Sequence, residues 1–138
     1  MPGASRSSLL YLDSSALVKL VVAEPESTAL MERLRRWPGR VSSALTLTEL
    51  PRALRRAGFG ATARRRAREV LARMALIDVD RRILTAAAGL EPRDLRTLDA
   101  IHLATALAVR EDLDAIVTYD RRLRLAAEGA HLEVVAPA

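Results

Sequence analysis

Four acidic residues occur at positions from which their side chains could meet in the folded protein: Asp13, Glu49, Asp99 and Asp120. Asp13 directly follows a short apolar run, and Asp120 comes two residues after another one. Carboxylates that are brought close together repel one another unless a cation neutralises them. Mg²⁺ prefers oxygen ligands, keeps several of its waters and can activate one of them for phosphodiester hydrolysis. The four acids therefore indicate a Mg²⁺ site and a hydrolytic reaction at a phosphodiester.

Each of these acids, taken alone, also has a structural interpretation. An Asp that follows a strand is often a helix cap or part of a solvated turn, and an acid in the first turn of a helix favours the helix dipole. Thr46 precedes Glu49 by three residues, which is the spacing of a capping box, and Thr97 is the expected cap of the helix that contains Asp99. The combination of four acids with alternating strands and helices is what favours a catalytic site.

Short apolar runs alternate along the chain with amphipathic segments. We expect buried strands at residues 9–12, 41–43, 76–79, 115–118 and 132–135, and helices at residues 14–24, 27–37, 46–57, 61–75, 80–89, 97–109 and 121–128. This alternation predicts right-handed crossovers and a three-layer α/β/α domain with a short, mainly parallel central sheet. Ligands of such sheets bind outside the carboxyl ends of the strands, where Asp13 and Asp120 would lie.

The composition narrows the classes of protein. A chain of 138 residues is long enough for one core, and we expect a flexible leader over residues 1–8 followed by a single domain over residues 9–138. The absence of cysteine excludes disulfides and thiolate zinc sites, and two histidines, His102 and His131, give little support to a histidine-based zinc site or hydrolase. No apolar stretch approaches the roughly 20 residues of a membrane span, so we expect a cytoplasmic protein without membrane contact.

The formal net charge is +5, and all basic residues except Lys19 are arginine. Guanidinium groups match phosphates bidentately, so this surface is compatible with a nucleic-acid partner. Arg52, Arg55 and Arg56 lie closest in sequence to Glu49, and we predict that they contact RNA phosphates beside the acids. The alternative interpretation is a solvated helix face in a protein from a GC-rich genome, whose codons favour arginine and alanine.

Four segments resemble, in order and spacing, the four acidic blocks of PIN-domain ribonucleases, and more narrowly the VapC-type toxins of bacterial toxin–antitoxin pairs. The segments are LLYLDSSALVKLVVAEPES, SSALTLTELPRALRR, LRTLDAIHLATAL and AIVTYDRRL. The resemblance extends from about Leu9 to Pro137. The motifs D-x-S-A-L-V-K-L, followed by E-P-E, and L-D-A-I-H-L-A-T-A are both quite specific.

The resemblance implies a PIN-like fold and an endoribonuclease that depends on Mg²⁺ or Mn²⁺. Asp13, Glu49 and Asp99 match the three most constant acids of the family, and Asp120 matches a fourth, variable one. Two hydroxyls match positions that lie near the metal or orient its ligands, those of Ser15 and Thr118. The resemblance also implies a cognate antitoxin and a homodimer. The alternative is a non-catalytic PIN-like module that binds RNA or protein.

Two residues near the acids allow more than one interpretation. Pro51 departs from the family pattern: a helix that begins at Thr46 would place it in the second turn and could swing Glu49 away, whereas an effective start at Thr48 would make it harmless. We favour the start at Thr48. His102 follows Asp99 by three residues and so shares its helix face, but a core or groove histidine is favoured over a metal ligand.

Overall fold

The computed structural model describes residues 9–36 and 39–138. The predicted leader over residues 1–8 and Trp37, the last residue of the predicted second helix, lie outside the described residues. Every predicted strand and helix has a counterpart in the described part of the chain, with differences mainly at the element ends.

The described strands are β1 (Leu9–Leu12), β2 (Gly39–Ser43), β3 (Ala75–Ile77), β4 (Leu113–Val117) and β5 (Val134–Val135). The described helices are α1 (Ser14–Val21), α2 (Ser27–Arg36), α3 (Thr46–Arg56), α4 (Ala61–Ala72), α5 (Arg81–Ala88), α6 (Thr97–Ala108) and α7 (Arg121–Gly129). A 3₁₀ turn at Arg110–Asp112, which the sequence pattern did not predict, leads into β4.

These strands all run parallel, in the spatial order β3-β2-β1-β4-β5. The central strand is β1, whose Leu10 and Leu12 pair with Ala115 and Val117 of β4. From β1 the chain moves outward through β2 to β3, then crosses to the other side and moves outward from β4 to β5. The crevice between the carboxyl ends of β1 and β4 is thus the switch point at which ligands bind in sheets of this kind.

Alternate side chains of β1 enter two different cores. Leu10 and Leu12 pack with apolar residues of α1 to α4, whereas Tyr11 packs on the opposite face with residues of α6 and α7. A further cluster joins α5 to α6. Because successive strand residues point to opposite faces, helices cover the sheet on both sides. The predicted three-layer α/β/α architecture is confirmed.

The predicted capping roles of the two threonines are wrong. The residue that caps α3 is Leu45, and Thr46 is the first helical residue, with its hydroxyl donating to the carbonyl of Ser43. The cap of α6 is Arg96, again without a capping side chain, and Thr97 is the first helical residue. Thr46 is fully buried, so its hydroxyl needs a protein acceptor and takes the nearest carbonyl.

Pro51 lies in the second turn of α3, so the favoured start at Thr48 is also wrong. A proline there removes the hydrogen bond to the carbonyl of Leu47. Leu47 is 56% exposed, so water can satisfy that carbonyl at little cost. The first turn of the helix is closed by hydrogen bonds from the amides of Leu47 and Thr48 to the carbonyls three residues earlier, each 3.0 Å long. The helix therefore continues through Pro51 and keeps Glu49 against α1.

Candidate functional site

Asp13 lies at the carboxyl end of the central strand and is the most buried of the four predicted acids, with 4% exposure. It caps α1: its Oδ1 accepts hydrogen bonds from the amide of Ala16 (3.0 Å) and the hydroxyl of Ser15 (2.7 Å). Its Oδ2 accepts a hydrogen bond from the hydroxyl of Thr118 (2.6 Å). Burial raises the pKa of Asp13 although these hydrogen bonds favour the ionised form. The carboxylate is therefore held firmly in place while its negative charge lacks full compensation.

The hydroxyls of Ser15 and Thr118 connect the two strand ends on either side of the crevice. Besides donating to Asp13, the Ser15 hydroxyl accepts from the amide of Tyr119 (3.0 Å) and the Thr118 hydroxyl accepts from the amide of Asp120 (3.0 Å). Both hydroxyls therefore orient Asp13 and fix the loop that carries Asp120. They contact one of the predicted ligands, Asp13, directly.

Asp99 and Asp120 lie at the same edge of the sheet as Asp13. Burial, and then the negative charges of Asp120 and Asp13, raise the pKa of Asp99, while His102 and Arg96 oppose this effect. The carboxylate of Asp99 accepts no hydrogen bond from the described residues. The Oδ1 of Asp120 caps α7 by accepting from the amides of Arg122 (2.8 Å) and Leu123 (3.1 Å), which leaves Oδ2 without a donor in the described part of the chain. Three of the four predicted acids thus act on one another electrostatically.

Glu49 is part of a chain of hydrogen bonds that starts in the core. Its Oε1 accepts from the hydroxyl of Ser14 (2.5 Å) and from Nε2 of His102 (2.6 Å). Nδ1 of His102 is 2.7 Å from the hydroxyl of Tyr11. Burial raises the pKa of Glu49, but the interactions with His102 and Ser14 outweigh burial and bring the pKa below its usual value. Glu49 is therefore the acid whose charge the protein itself compensates.

The contact between His102 and Glu49 gives this histidine a place in the site that the sequence did not favour. His102 is 2% exposed, as a core histidine would be, yet one of its nitrogens faces a predicted ligand. Its spacing from Asp99 was the available signal. Tyr11 gave no signal except that it is the one residue of its strand with a hydroxyl.

The types of ligand present at this edge of the sheet fit a hard divalent cation. Oxygen atoms of carboxylates predominate. Burial raises the pKa of Asp13, and burial together with neighbouring acids raises the pKa of Asp99, so a cation would stabilise the ionised form of both. Among the residues that the structure describes, no three Asp, Glu or His side chains form a ready-made metal-binding cluster. An ion would therefore have to draw the carboxylates of Asp13, Asp99, Asp120 and Glu49 closer together.

The three arginines predicted to contact RNA are exposed on α3. Leu50 and Leu54 bury the inner face of the helix. Arg56 and Arg52 follow Glu49 by seven and three residues and so lie next to it on the helix surface, whereas Arg55 is turned further round the helix from Glu49. None of the three forms a salt bridge with a described residue.

Lys19, by contrast, is occupied within the protein. Its ammonium group contacts Glu24 (3.2 Å) and Glu26 (2.7 Å) and lies 4.7 Å from the centre of the Tyr119 ring.

The described helices include none that is long and apolar enough to cross a membrane.

Comparison with known proteins finds the same family that the sequence motifs resemble, and the match covers most of the chain. The family model described as PIN domain matches residues 10–129. "Ribonuclease VapC46" of Mycobacterium tuberculosis is 52% identical over 128 residues, which cover 93% of this chain and 97% of the relative. "Ribonuclease VapC35" of the same species is 45% identical, with 94% of this chain and 97% of the relative covered.

A solved structure shares the fold at lower sequence identity. A "Toxin-antitoxin complex from Klebsiella pneumoniae" superposes with a TM-score of 0.70 at 24% identity, covering 94% of this chain and 98% of the other. The similarity covers the sheet and the helices on both of its sides, so the fold is shared over nearly the whole length of both chains.

Proposed function

The chain belongs to the PIN-domain family, among its VapC ribonucleases, and on that premise we propose that it is a Mg²⁺- or Mn²⁺-dependent endoribonuclease and the toxin of a toxin–antitoxin pair. The observation that carries the catalytic proposal is the group of Asp13, Asp99 and Asp120 at the switch point of the parallel sheet. Burial and mutual repulsion leave this group with uncompensated negative charge, which is the environment that a divalent cation relieves.

In this proposal Asp13 and Asp99 hold the principal metal, and Glu49 and Asp120 complete its surroundings, partly through water. When bound, the metal supplies an activated water and neutralises charge on the phosphodiester. Ser15 and Thr118 keep both oxygens of Asp13 oriented through hydrogen bonds of 2.7 and 2.6 Å. The protein thus contributes, at the end of β1, a ligand whose orientation two hydroxyls fix.

RNA would approach along the flank of α3 that carries Glu49. Arg52 and Arg56 are exposed there without carboxylate partners among the described residues, so their guanidinium groups are available for phosphate oxygens. Arg55 remains a candidate contact, but it is turned further from Glu49, which makes it the weaker one. Phosphate contacts of this kind add affinity without reading the base sequence.

The proposal includes a cytoplasmic location and two protein partners, a cognate antitoxin and a second copy of the chain. The antitoxin is supported by the similarity to VapC ribonucleases and by the structural neighbour from Klebsiella pneumoniae, which is a toxin–antitoxin complex. The homodimer rests on the family resemblance and can be tested by light scattering on the purified chain.

The first test is cleavage of total cellular RNA by the purified protein, with Mg²⁺ or Mn²⁺ and with a chelator. We expect discrete metal-dependent products that disappear in Asp13→Asn and Asp99→Asn, because both substitutions remove a ligand charge with little change of shape. Glu128→Gln is the matched control, since Glu128 is an exposed acid of α7 outside the site.

The outcomes separate catalysis from binding. Full activity in either Asn variant would exclude the assigned ligand. A folded wild-type protein that binds RNA but cleaves none with any metal would favour the alternative, a non-catalytic PIN-like module that binds RNA or protein. The observation that favours testing this alternative is the charge of Glu49, which His102 and Ser14 already stabilise without a metal ion.

A further inference from the structure

Three side chains from three elements form an ordered series of contacts behind the acidic crevice. Tyr11 of β1 is fully buried, His102 of α6 is 2% exposed and Glu49 of α3 has a side chain that is 18% exposed. The hydroxyl of Tyr11 contacts Nδ1 of His102 at 2.7 Å, and Nε2 of His102 contacts Oε1 of Glu49 at 2.6 Å. The rings of Tyr11 and His102 also meet edge to face, with centroids 5.9 Å apart. The series thus leads from the core to the solvent side.

The direction of the hydrogen bonds follows from the chemistry of the groups. An ionised carboxylate can only accept, so Nε2 of His102 donates to Glu49. At the other nitrogen, a neutral ring accepts at Nδ1 from the Tyr11 hydroxyl and a protonated ring donates to it, so the 2.7 Å contact is a hydrogen bond in either form. Burial raises the pKa of Tyr11, so its proton stays on the hydroxyl. Both ring nitrogens of His102, the Tyr11 hydroxyl and Oε1 of Glu49 are therefore each engaged in a hydrogen bond within the series.

We propose that His102 and Tyr11 are positioning residues for Glu49, in which Tyr11 fixes the ring of His102 and His102 holds Oε1 of Glu49 so that Oε2 is presented to the metal site. This inference rests on the proposed function. The Ser14 hydroxyl holds the same oxygen from the α1 side, at 2.5 Å. Oε2 accepts no hydrogen bond from the described residues and is the oxygen left for the ion or its water.

The arrangement accounts for the compensated charge of Glu49. Among the described acids, Glu49 alone has a histidine partner within 4 Å, and its Oε1 takes two donors. Residues that hydrogen-bond to a metal ligand set the orientation of that ligand. Loss of such a residue typically weakens metal affinity or activity about 10- to 100-fold. Without this anchoring, rotation of the Glu49 side chain would take Oε2 away from the other acids.

The test is Mn²⁺ affinity measured by electron paramagnetic resonance on the metal-free full chain, which needs no catalysis. Tyr11→Phe removes one hydroxyl and keeps the buried ring, and we expect it to weaken Mn²⁺ binding about 10-fold or more. Glu128→Gln is the control: Glu128 is an exposed acid of α7 outside the series and outside the acidic site, and the variant should bind Mn²⁺ like the wild type. His102→Gln, which loses the nitrogen that Tyr11 fixes, is the second variant and should also bind more weakly.

A double-mutant cycle separates positioning from a purely structural role. If Tyr11 acts through Glu49, Tyr11→Phe should weaken Mn²⁺ binding in the wild type and cause no further loss in the Glu49→Gln background. The kcat for RNA cleavage should fall while KM stays unchanged, since Tyr11 and His102 are both buried and cannot contact RNA themselves. Equal losses of Mn²⁺ affinity in both backgrounds would overturn this inference and leave the proposed function standing. Wild-type affinity in folded Tyr11→Phe and His102→Gln would do the same. A wild-type protein that binds no Mn²⁺ would overturn the proposed function and this role with it.

Discussion

The acidic residues of the site differ in the direction in which their surroundings shift their pKa. Burial raises the pKa of Asp13, and burial together with neighbouring acids raises the pKa of Asp99. The pKa of Glu49 is instead lowered by His102 and Ser14 against the effect of burial. Carboxylates with such different environments perform different tasks. Asp13 and Asp99 are suited to binding the cation directly, and Glu49 is suited to a role that depends on its orientation.

Asp99→Asn should make the metal-free protein more stable at neutral pH. Because the folded-state pKa of Asp99 is raised, ionising this group costs folding free energy: the stability is highest below its unfolded-state pKa, near pH 4, and falls as the pH rises through the folded-state pKa. We expect a gain on the order of 0.5 kcal/mol at pH 7, as for partly exposed charge pairs, that shrinks towards pH 4. Urea unfolding in a chelator between pH 4 and pH 8 measures it. A variant less stable than the wild type at pH 7 would contradict the repulsion.

At the scale of elements, the two aspartates that follow the central strands have double roles. Asp13 caps α1 and Asp120 caps α7, each through Oδ1. The structural interpretation of these acids was therefore correct, and it does not compete with the metal-binding one. A parallel strand that leads directly into a helix places the cap residue at the carboxyl edge of the sheet, where the ligand site also lies.

Asp120 offers a way to separate capping from metal binding. Asp120→Ala should cost about 1 kcal/mol of unfolding free energy because it removes the cap of α7, whereas Asp120→Asn keeps a side-chain acceptor and should be nearly neutral. Both variants should weaken Mn²⁺ binding to the same extent, because both remove the charge. Urea unfolding and Mn²⁺ titration of the two proteins provide the comparison. Wild-type Mn²⁺ affinity in Asp120→Asn would limit Asp120 to its capping role.

A second prediction at this scale concerns the arginines of α3 and their contribution to RNA affinity. Arg52→Ala and Arg56→Ala should each reduce the dependence of RNA affinity on salt, lowering the slope of log K against log salt by about 0.7 for each phosphate of single-stranded RNA that the variant no longer neutralises. Arg55→Ala, which is turned furthest from Glu49 of the three, should change the slope least. Fluorescence anisotropy with labelled RNA, in the cleavage-deficient Asp99→Asn background, measures the slopes. A larger effect for Arg55 than for the other two would place the RNA on the opposite side of α3.

At the scale of the whole molecule, the order of the strands brings distant parts of the chain to one edge. The contact between Asp13 and Thr118 joins residues 105 positions apart, and Glu49 reaches His102 across 53 positions. The crevice between β1 and β4 is the one place in the described sheet where the chain changes its direction of travel across the strands. Bound metal would therefore link α1, α3, α6 and the start of α7.

Metal binding should consequently stabilise the whole fold. Mn²⁺ or Mg²⁺ at about 100 times its dissociation constant should raise the free energy of unfolding by about 2.7 kcal/mol, and the melting temperature should increase with metal concentration. Asp13→Asn should lose most of this stabilisation, and Glu128→Gln should keep it. Calorimetry with and without a chelator measures the shift. An equal shift in Asp13→Asn would mean that the ion binds elsewhere on the protein.

The sequence by itself determined the alternation of strands and helices, the fold class and the positions of Asp13 and Asp120 at strand ends. These features depend on neighbouring residues, since apolar periodicity and strand-to-helix transitions are local properties. The errors were local as well: Thr46 was predicted as a cap from its spacing to Glu49, but its burial directed its hydroxyl to Ser43. Spacing within a segment does not reveal which competing partner a side chain takes after packing.

Only the tertiary structure decided how the charge of Glu49 is compensated. The contacts of Glu49 with Ser14 and His102, and of His102 with Tyr11, join residues 35, 53 and 91 positions apart. Each contact requires that α3, α6 and the start of α1 pack around the end of β1 in a particular arrangement. Hydrogen bonds need donor and acceptor atoms within about 3 Å and well aligned, a condition that packing sets and sequence spacing does not. The acids could therefore be found in the sequence, while the histidine and tyrosine that orient one of them could not.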